Sequence, residues 1–337
     1  MAIKPFFMLF RKGQLSAFLS IGSLLKPFYK LVFLAAAKEG GFLDQLSDGP
    51  VQFERLAQDH CCDQKAREAL EAWLQVGLRL GLLDLGPRGY ALKGLAKKLA
   101  LPQNDAALAM IQEVAGLHYK LIADTPGRLR DGELWSLDDQ DGEIVARSSR
   151  ILEAFQTEGI DRTFPATGAV RLLEIGCGSG FYIQYAAARN PFLTALGLEL
   201  QPEVAAMARR NILAWGLGTR VEIEAGDIRE RAPSERFDIV TLYNNIYYFP
   251  VEERVALLLH VRQFLKPDGF LLLTTCCQRG SLGVEVLNLW GAATTGSGRL
   301  PTAEEMVSQL HQAGFTAVEP ISLIPGDKFY AFRACTA

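Results

Sequence analysis

The chain has 337 residues, enough for two domains that each build a core. It is 49% hydrophobic and 22% charged with a net charge of −3, a balance that argues against a strongly basic nucleic-acid binder. Six cysteines lack any C-x-x-C pair and four histidines fit no zinc spacing, so no metal is expected and the thiols read as reduced, in a cytoplasmic protein.

The first element is a basic, apolar arm. Residues 1–38 carry six basic side chains and no acid, among Phe7, Phe10, Phe18, Leu24, Leu25 and Phe28. No run reaches the ~20 apolar residues of a membrane span. No small-residue cleavage site follows the basic start, so a signal peptide is not expected. Two readings stay open: a helix buried against a partner subunit, or a helix lying on a membrane surface. The first is preferred, because the segment runs without a break into a helical pattern. Next come a short amphipathic helix, Phe53–His60, and a longer one, Gln64–Gly81, with Leu70, Trp73, Leu74 and Leu78 at helical spacing. Gly86-Pro87-Arg88-Gly89 then sits between two apolar runs, a hairpin signal. Helix, helix, hairpin is a winged-helix-like order, which in other settings puts its second helix in a DNA groove. Here Lys65, Arg67 and Arg79 are balanced by Glu68 and Glu71, and residues 1–150 hold 19 basic against 18 acidic residues. A dimerisation or substrate-lid role fits better than DNA binding.

Residues 105–165 read as helical, with breaks at Asp124–Gly132 and Asp138–Gly142. From residue 170 onward apolar runs alternate with helical stretches, at 170–175, 194–199, 221–224, 237–243 and 269–275. That alternation predicts a doubly wound parallel sheet with helices on both faces. Domains are expected at 1–145 and 146–337.

The stretch RLLEIGCGSGF, Arg171–Phe181, joins the first of these strands to a helix through Gly176, Gly178 and Gly180. Glycines there permit a tight turn and close approach of a ligand to backbone, and the following helix offers free N–H groups. The glycines alone do not choose the ligand. Glu199 ends the second strand, 23 residues after Gly176, where a carboxylate can accept from both hydroxyls of a ribose. Gly226 and Asp227 end the third, where an acid and backbone can read an adenine amino group. Glu174 at the mouth would repel a pyrophosphate but suits a ligand carrying ammonium and sulfonium groups. Such a ligand, with ribose and adenine, is S-adenosylmethionine.

LLEIGCGSG, GLEL, AGDI, FDIVTLYNNIYYF and FLKPDGFLLLTT together resemble the successive motifs of class I S-adenosylmethionine-dependent methyltransferases, over about residues 145–337. The first half is similar, more loosely, to the winged-helix dimerisation domain of two-part small-molecule methyltransferases. The resemblance implies a Rossmann-like seven-stranded α/β sheet closed by an antiparallel hairpin around Pro325-Gly326-Asp327, and a homodimer without a membrane span or nucleic-acid partner. It implies that Gly176, Cys177, Gly178 and Gly180 line the methionine part of the cofactor, with Glu174 near its amino group. Glu199, with Leu200 beside it, would take the ribose; Gly226, Asp227 and Ile228 would hold the adenine. Asn244 and Asn245 would lie near the reacting methyl. Simpler roles stay open: Glu174 could only orient the loop, and Asp227 could only cap a turn.

Plant-type members carry a His-Asp pair after the fourth strand, and here Tyr247 and Tyr248 stand at that place. Tyrosine, with an ordinary pKa near ~10, is a poor base at neutral pH. His118 and Tyr119 are the other catalytic candidates, Tyr119 also as a pocket residue. Arg147 and Arg150 could grip a substrate carboxylate, though a solvated face is the plainer reading. Trp290 would cover the pocket. Hydroxyl oxygen is the commonest acceptor for this layout; thiol or thioether sulfur comes second because the His-Asp pair is missing. A ligand-sensing DNA-binding regulator and an NAD-dependent oxidoreductase are the alternative classes.

Overall fold

The structure is a computed structural model that describes residues 3–336, with side chains from Phe7 onward. The first two residues and the last one of the two expected domains therefore lie outside the described residues. The chain divides into two compact units. One holds the residues up to Tyr119 together with Asp141–Ile151; the other holds Lys120–Gln140 and everything from Leu152. The division differs from the boundary expected between 145 and 146. Residues 120–140 go with the second unit because Trp135 pairs with Thr294 as an isolated parallel bridge and packs on Trp290 with ring centroids 6.4 Å apart. Such long-range contacts leave no local trace in sequence.

In the first unit, helices Phe53–His60 and Gln64–Leu80 precede a hairpin of β1 (Leu83–Gly86) and β2 (Gly89–Leu92). Gly81 ends the longer helix with φ +72°, the left-handed C-terminal position that glycine takes at least cost. Val51 bridges Tyr90 on the hairpin's free edge. Leu56, Leu74, Leu82 and Leu43 are fully buried around it. On helix Gln64–Leu80, Lys65 pairs with Glu68 and Arg67 with Glu54, so two of its cations face acids of this chain.

Two expectations for the first half change. The helix Leu15–Glu39 is 25 residues long with a mean hydropathy of 1.4 over its best 18-residue window, so it is long and apolar enough to cross a membrane by length and composition. Its serines interrupt the apolar run without lowering the average. The break expected over Asp124–Gly132 is also absent, since helix Tyr119–Asp131 runs through Pro126. Pro126 frees the carbonyl four residues back, and that residue, Ile122, is exposed, where water can take it.

The second unit is a seven-stranded sheet. Its strands are β3 (Val170–Ile175), β4 (Leu193–Glu199), β5 (Val221–Ala225), β6 (Phe237–Tyr243), β7 (Leu265–Cys276), β8 (Ala317–Ser322) and β9 (Phe329–Cys335). They lie in the order β5-β4-β3-β6-β7-β9-β8, parallel except where β9 runs antiparallel to β7 and β8. Successive side chains enter opposite cores: Leu172 joins one hydrophobic cluster, Leu173 and Ile175 the other. Burial on both faces is why VRLLEI and FDIVTLY read as nearly unbroken apolar runs. The strand order reverses between β3 and β6, so a crevice forms beyond their C-terminal ends.

Helix Ala303–Gln312 shows how this unit's periphery is fixed. Thr302 and Glu305 form a reciprocal capping box, and Glu305 also takes two hydrogen bonds from Arg299, at 2.6 and 2.7 Å. The Arg299 guanidinium first, and the Thr302 N–H with it, hold the Glu305 carboxyl down to about 2. A lowered carboxyl stabilises the fold above the ordinary pKa and loses that contribution as pH falls. Glu305→Gln is therefore expected to lower Tm slightly at pH 7, with the difference vanishing between pH 4.5 and about 2. Solvent screens this half-exposed pair, so the loss is about 0.5 kcal/mol or less. Thermal melts across that pH range check it.

Candidate cofactor and acceptor site

The glycine loop begins where β3 ends. Gly176, Gly178 and Gly180 all have positive φ, at +71°, +52° and +80°. At Gly176 a side chain is also barred by space: a Cβ would sit 2.7 Å from Asn245 Nδ2. At Gly178 a Cβ would meet nothing within 4 Å, so the backbone there faces open space. The loop is pinned by its neighbours. Gly176 and Cys177 donate backbone N–H bonds to the Leu198 carbonyl at 2.8 and 3.1 Å, and Asn211 Nδ2 donates to the Ser179 carbonyl at 3.0 Å. Cys177 fits because Gly197 leaves room; a Cβ on Gly197 would lie 2.9 Å from the Cys177 sulfur. Burial pushes the Cys177 thiol well up, so it is a packing residue and not a nucleophile.

Two carboxylates face this loop. Glu199 accepts from Gly178 N–H at 2.9 Å with one oxygen and from Gln201 N–H at 3.2 Å with the other. Leu200 next to it is exposed. Glu174 is 1% exposed, and one of its oxygens has no hydrogen-bond partner. Burial, and then the Glu199 charge, drive the Glu174 carboxyl well above its ordinary range. A buried carboxyl with one unpartnered oxygen, whose ionisation burial disfavours, beside an open, glycine-lined space fits a cationic ligand, which would supply both the missing partner and the missing charge. Bringing an ammonium group to it favours the ionised carboxylate and so opposes the shift. Titrating S-adenosylhomocysteine in buffers of different ionisation enthalpy is expected to show net proton release that Glu174→Gln removes.

Beyond β5 the Gly226 N–H donates to the Glu199 carbonyl at 2.8 Å, tying the third-strand turn to the second. Asp227 is less free than its sequence position implies. Arg229 donates to both its oxygens, at 2.6 to 3.1 Å, and the Arg229 N–H adds a turn bond at 2.9 Å. Arg229 accordingly holds the Asp227 carboxyl below the usual range. Ile228 is buried, and its carbonyl lies 2.9 Å from His260 Nε2, so His260 supports this turn from the helix Arg254–Arg262.

After β6 the chain turns at Asn244, which has φ +52°, a left-handed conformation uncommon outside glycine. Its N–H donates to the Thr274 carbonyl at 2.9 Å. Asn245 Nδ2 donates to the Ile175 carbonyl at 2.7 Å, joining the ends of β3 and β6 across the switch point. The side-chain oxygens of both asparagines are buried without a donor. Tyr247 and Tyr248 follow in a 3-10 turn, their rings 4.7 Å apart. Arg254, fully buried, donates to the Phe249 carbonyl at 3.1 Å and the Arg299 carbonyl at 2.7 Å, and so fixes the end of this turn. Trp290 is buried on the helix Leu282–Ala293, with its indole N–H unpartnered. Trp135 packs against it, held by a 3.0 Å bond to Thr125 and by Arg128 over its ring at 3.9 Å.

The second unit thus brings Glu174, the three glycines, Cys177, Glu199, Asn244 and Asn245 around one crevice. Of the other expected residues, His118, Tyr119, Arg147 and Arg150 belong to the first unit. Arg147 is not a free cation for a substrate carboxylate: it is bidentate to Asp105, 42 residues earlier, and holds that carboxyl below its usual range. His118 ends a π-helical turn, Val114–His118, and its Nε2 lies 3.2 Å from Glu113. Ser148 donates to the same Glu113 carboxylate. Tyr119 is exposed, with its ring near that of Phe28. Sequence reading missed Asn211 and Arg254, neither of which carries a motif; it places His260 on its helix between the fourth and fifth strands and outside catalysis, but gives no sign of its support of the turn at Ile228. Each works through a carbonyl 30 or more residues away or on an irregular turn.

Residues 173–271 match a protein family described as a methyltransferase domain. A release factor glutamine methyltransferase from Caulobacter vibrioides is 33% identical over 91 residues, which cover 27% of this chain and 31% of that protein. The chain spans about a third of the length of the first curated relatives it matches. The likeness to solved structures is broader. The mitomycin 7-O-methyltransferase superposes with a TM-score of 0.79 at 19% identity, covering 97% of this chain and 100% of that one. Human N-acetylserotonin methyltransferase, solved in complex with S-adenosylmethionine, gives 0.73 at 17%, covering 96% and 98%. At such identities the likeness carries the fold. The second unit therefore carries a match to a methyltransferase domain and shares the fold of these solved methyltransferases, with a helical first half beside it in the chain.

Proposed function

We propose that this chain transfers the methyl group of S-adenosylmethionine to a small-molecule acceptor. The observation that carries the reading is the pair of acids at the glycine loop: Glu199 on the Gly178 N–H, and Glu174 buried with one oxygen unpartnered. Glu199 binds the two ribose hydroxyls, with Leu200 against the same part of the ligand. Glu174 faces the amino group of the methionine part, above Gly176, Cys177 and Gly178. Gly226 and Ile228 frame the adenine, and Asp227 receives its amino group on a carboxylate shared with Arg229. Bound there, S-adenosylmethionine supplies an electrophilic methyl on a sulfonium centre.

The chain's remaining task is alignment. Displacement at a methyl needs acceptor, methyl and sulfur in line, and holding that geometry supplies much of the rate. Asn244, Asn245 and Tyr247 at the end of β6 are the residues assigned to the acceptor, and their two unpartnered amide oxygens take hydrogen bonds from an acceptor's N–H or O–H. Tyr248 and Trp290 bound the acceptor with aromatic surface. We read the acceptor atom as hydroxyl oxygen, the commonest for this layout. Sulfur is the second reading, favoured by the sequence Asn244–Pro250, which holds no histidine and no carboxylate. The protein acts as a homodimer in this reading.

The test is methyl transfer from labelled S-adenosylmethionine to panels of phenols, thiols, thioethers and amines, with the pH profile of the best acceptor. Without a base at residues 244–250, a hydroxyl acceptor should react faster as pH rises through its own pKa, with no break in the ordinary histidine range. A break near neutral pH that disappears in His118→Ala would assign the base to that residue. No transfer to any panel, with no binding of S-adenosylhomocysteine, would sink the reading.

A further inference from the structure

One peptide group beside Asp227 is gripped at both ends. His260 Nε2 lies 2.9 Å from the Ile228 carbonyl oxygen. A carbonyl only accepts, so Nε2 carries the proton and donates it. The N–H of the same peptide group, on Arg229, donates to Asp227 Oδ1 at 2.9 Å. A peptide group is planar and stiff, so His260 fixes the direction from which this N–H meets Asp227 without touching the acid. Hydrogen bonds at the two ends of one amide also polarise it and strengthen each other. The Arg229 side chain completes the hold. Its Nε is shared between both carboxylate oxygens, at 3.1 and 3.0 Å, and Nη2 reaches Oδ2 at 2.6 Å. His260 is itself well placed. Leu257, Leu258 and Val261 of its helix are buried in the same core as Ile228, and its ring meets Phe264 edge-on at 5.3 Å.

Three N–H groups of Arg229 therefore engage a carboxylate that has about four lone-pair sites. Capacity remains for one more donor. The guanidinium also keeps the carboxyl in its ionised, acceptor-only form. The Asp227 side chain is still 16% exposed, so a ligand can reach it. We propose, resting on the reading of Asp227 as the adenine acid, that His260 and the Arg229 side chain position Asp227 so that the cofactor site selects a 6-amino purine over a 6-oxo purine. An adenine amino group donates to the remaining site. A 6-oxo purine turns an acceptor oxygen toward the same carboxylate, and the two repel. The selection lasts only while Asp227 stays in place, because a carboxylate free to swing aside yields to either base.

The experiment is calorimetric titration of the full chain with S-adenosylhomocysteine and with its 6-oxo analogue, S-inosylhomocysteine. The wild type is expected to favour the first at least about tenfold. His260→Leu, which takes this donor from the Ile228 carbonyl, should cut that ratio about threefold or more. His260→Gln, which can return an N–H to the carbonyl, should restore it. Asp227→Asn, whose amide can turn either an acceptor or a donor to the base, should bring the two ligands near parity. Arg229→Leu, at a half-exposed side chain, should also cut the ratio, and it carries the test if His260→Leu does not fold. A purely structural loss weakens both ligands alike, so an unchanged ratio in these variants overturns the proposal. A wild-type ratio near one overturns it too. A wild type that binds neither ligand overturns the S-adenosylmethionine reading itself, and this inference with it.

Discussion

Glu199→Ala is expected to cost roughly 100-fold in affinity for S-adenosylhomocysteine, read by calorimetric titration. The carboxylate at the end of β4 holds two backbone donors, Gly178 N–H at 2.9 Å and Gln201 N–H at 3.2 Å, and keeps acceptor capacity for the ribose. Each charge-assisted bond to a hydroxyl is worth about 1.5–3 kcal/mol before water takes its place. Removing the carboxylate also loosens the loop at Gly178. Glu199→Gln, which keeps an acceptor without the charge, should lose less. NAD serves as the control ligand. Unchanged affinity in Glu199→Ala would mean that the ribose lies elsewhere, and the roles assigned around Gly176–Gly180 would fall with it.

Gly89→Ala is expected to destabilise the first unit by about 3 kcal/mol or more. Gly89 opens β2 with φ +108°, a conformation nearly closed to other residues. Its Cβ would also sit 2.3 Å from the Val51 carbonyl oxygen and 2.7 Å from the Gln52 nitrogen. Those are backbone atoms, and they cannot turn aside as a side chain would. The Val51–Tyr90 bridge would break, and with it the packing of the hairpin edge. Thermal unfolding should show an early transition of several degrees or more, with titration of S-adenosylhomocysteine unchanged within about twofold. A melt matching wild type would contradict the strain at Gly89.

Much of the second unit was legible because its signals are local. Strands buried on both faces give apolar runs, and three glycines must stand where the chain turns left-handed. Glu199 was found by its distance from those glycines. The glycine hairpin at residues 86–89 was legible for the same reason. What escaped was the environment each residue meets once folded, near in sequence or far. Arg147 reads as a free cation until Asp105 folds onto it. Asp227 reads as an unshared carboxylate until Arg229, two residues on, donates to both its oxygens. Pro126 reads as a stop until its helix turns Ile122 toward water. Leu15–Glu39 reads as too interrupted by serine for a continuous apolar helix, although averaged hydropathy finds it.

The assignment of residues 120–140 to the second unit has a consequence for how such a protein is inherited. The chain passes between its two units three times, near residues 119, 140 and 151. A single recombination joint at 145 would carry Trp135, Thr125 and Arg128 away with the first unit and leave Trp290 without the aromatic neighbour that covers it. A new first half can therefore be grafted onto this methyltransferase domain only if it brings its own strap for that helix. The two halves must vary together, or exchange at all three joints.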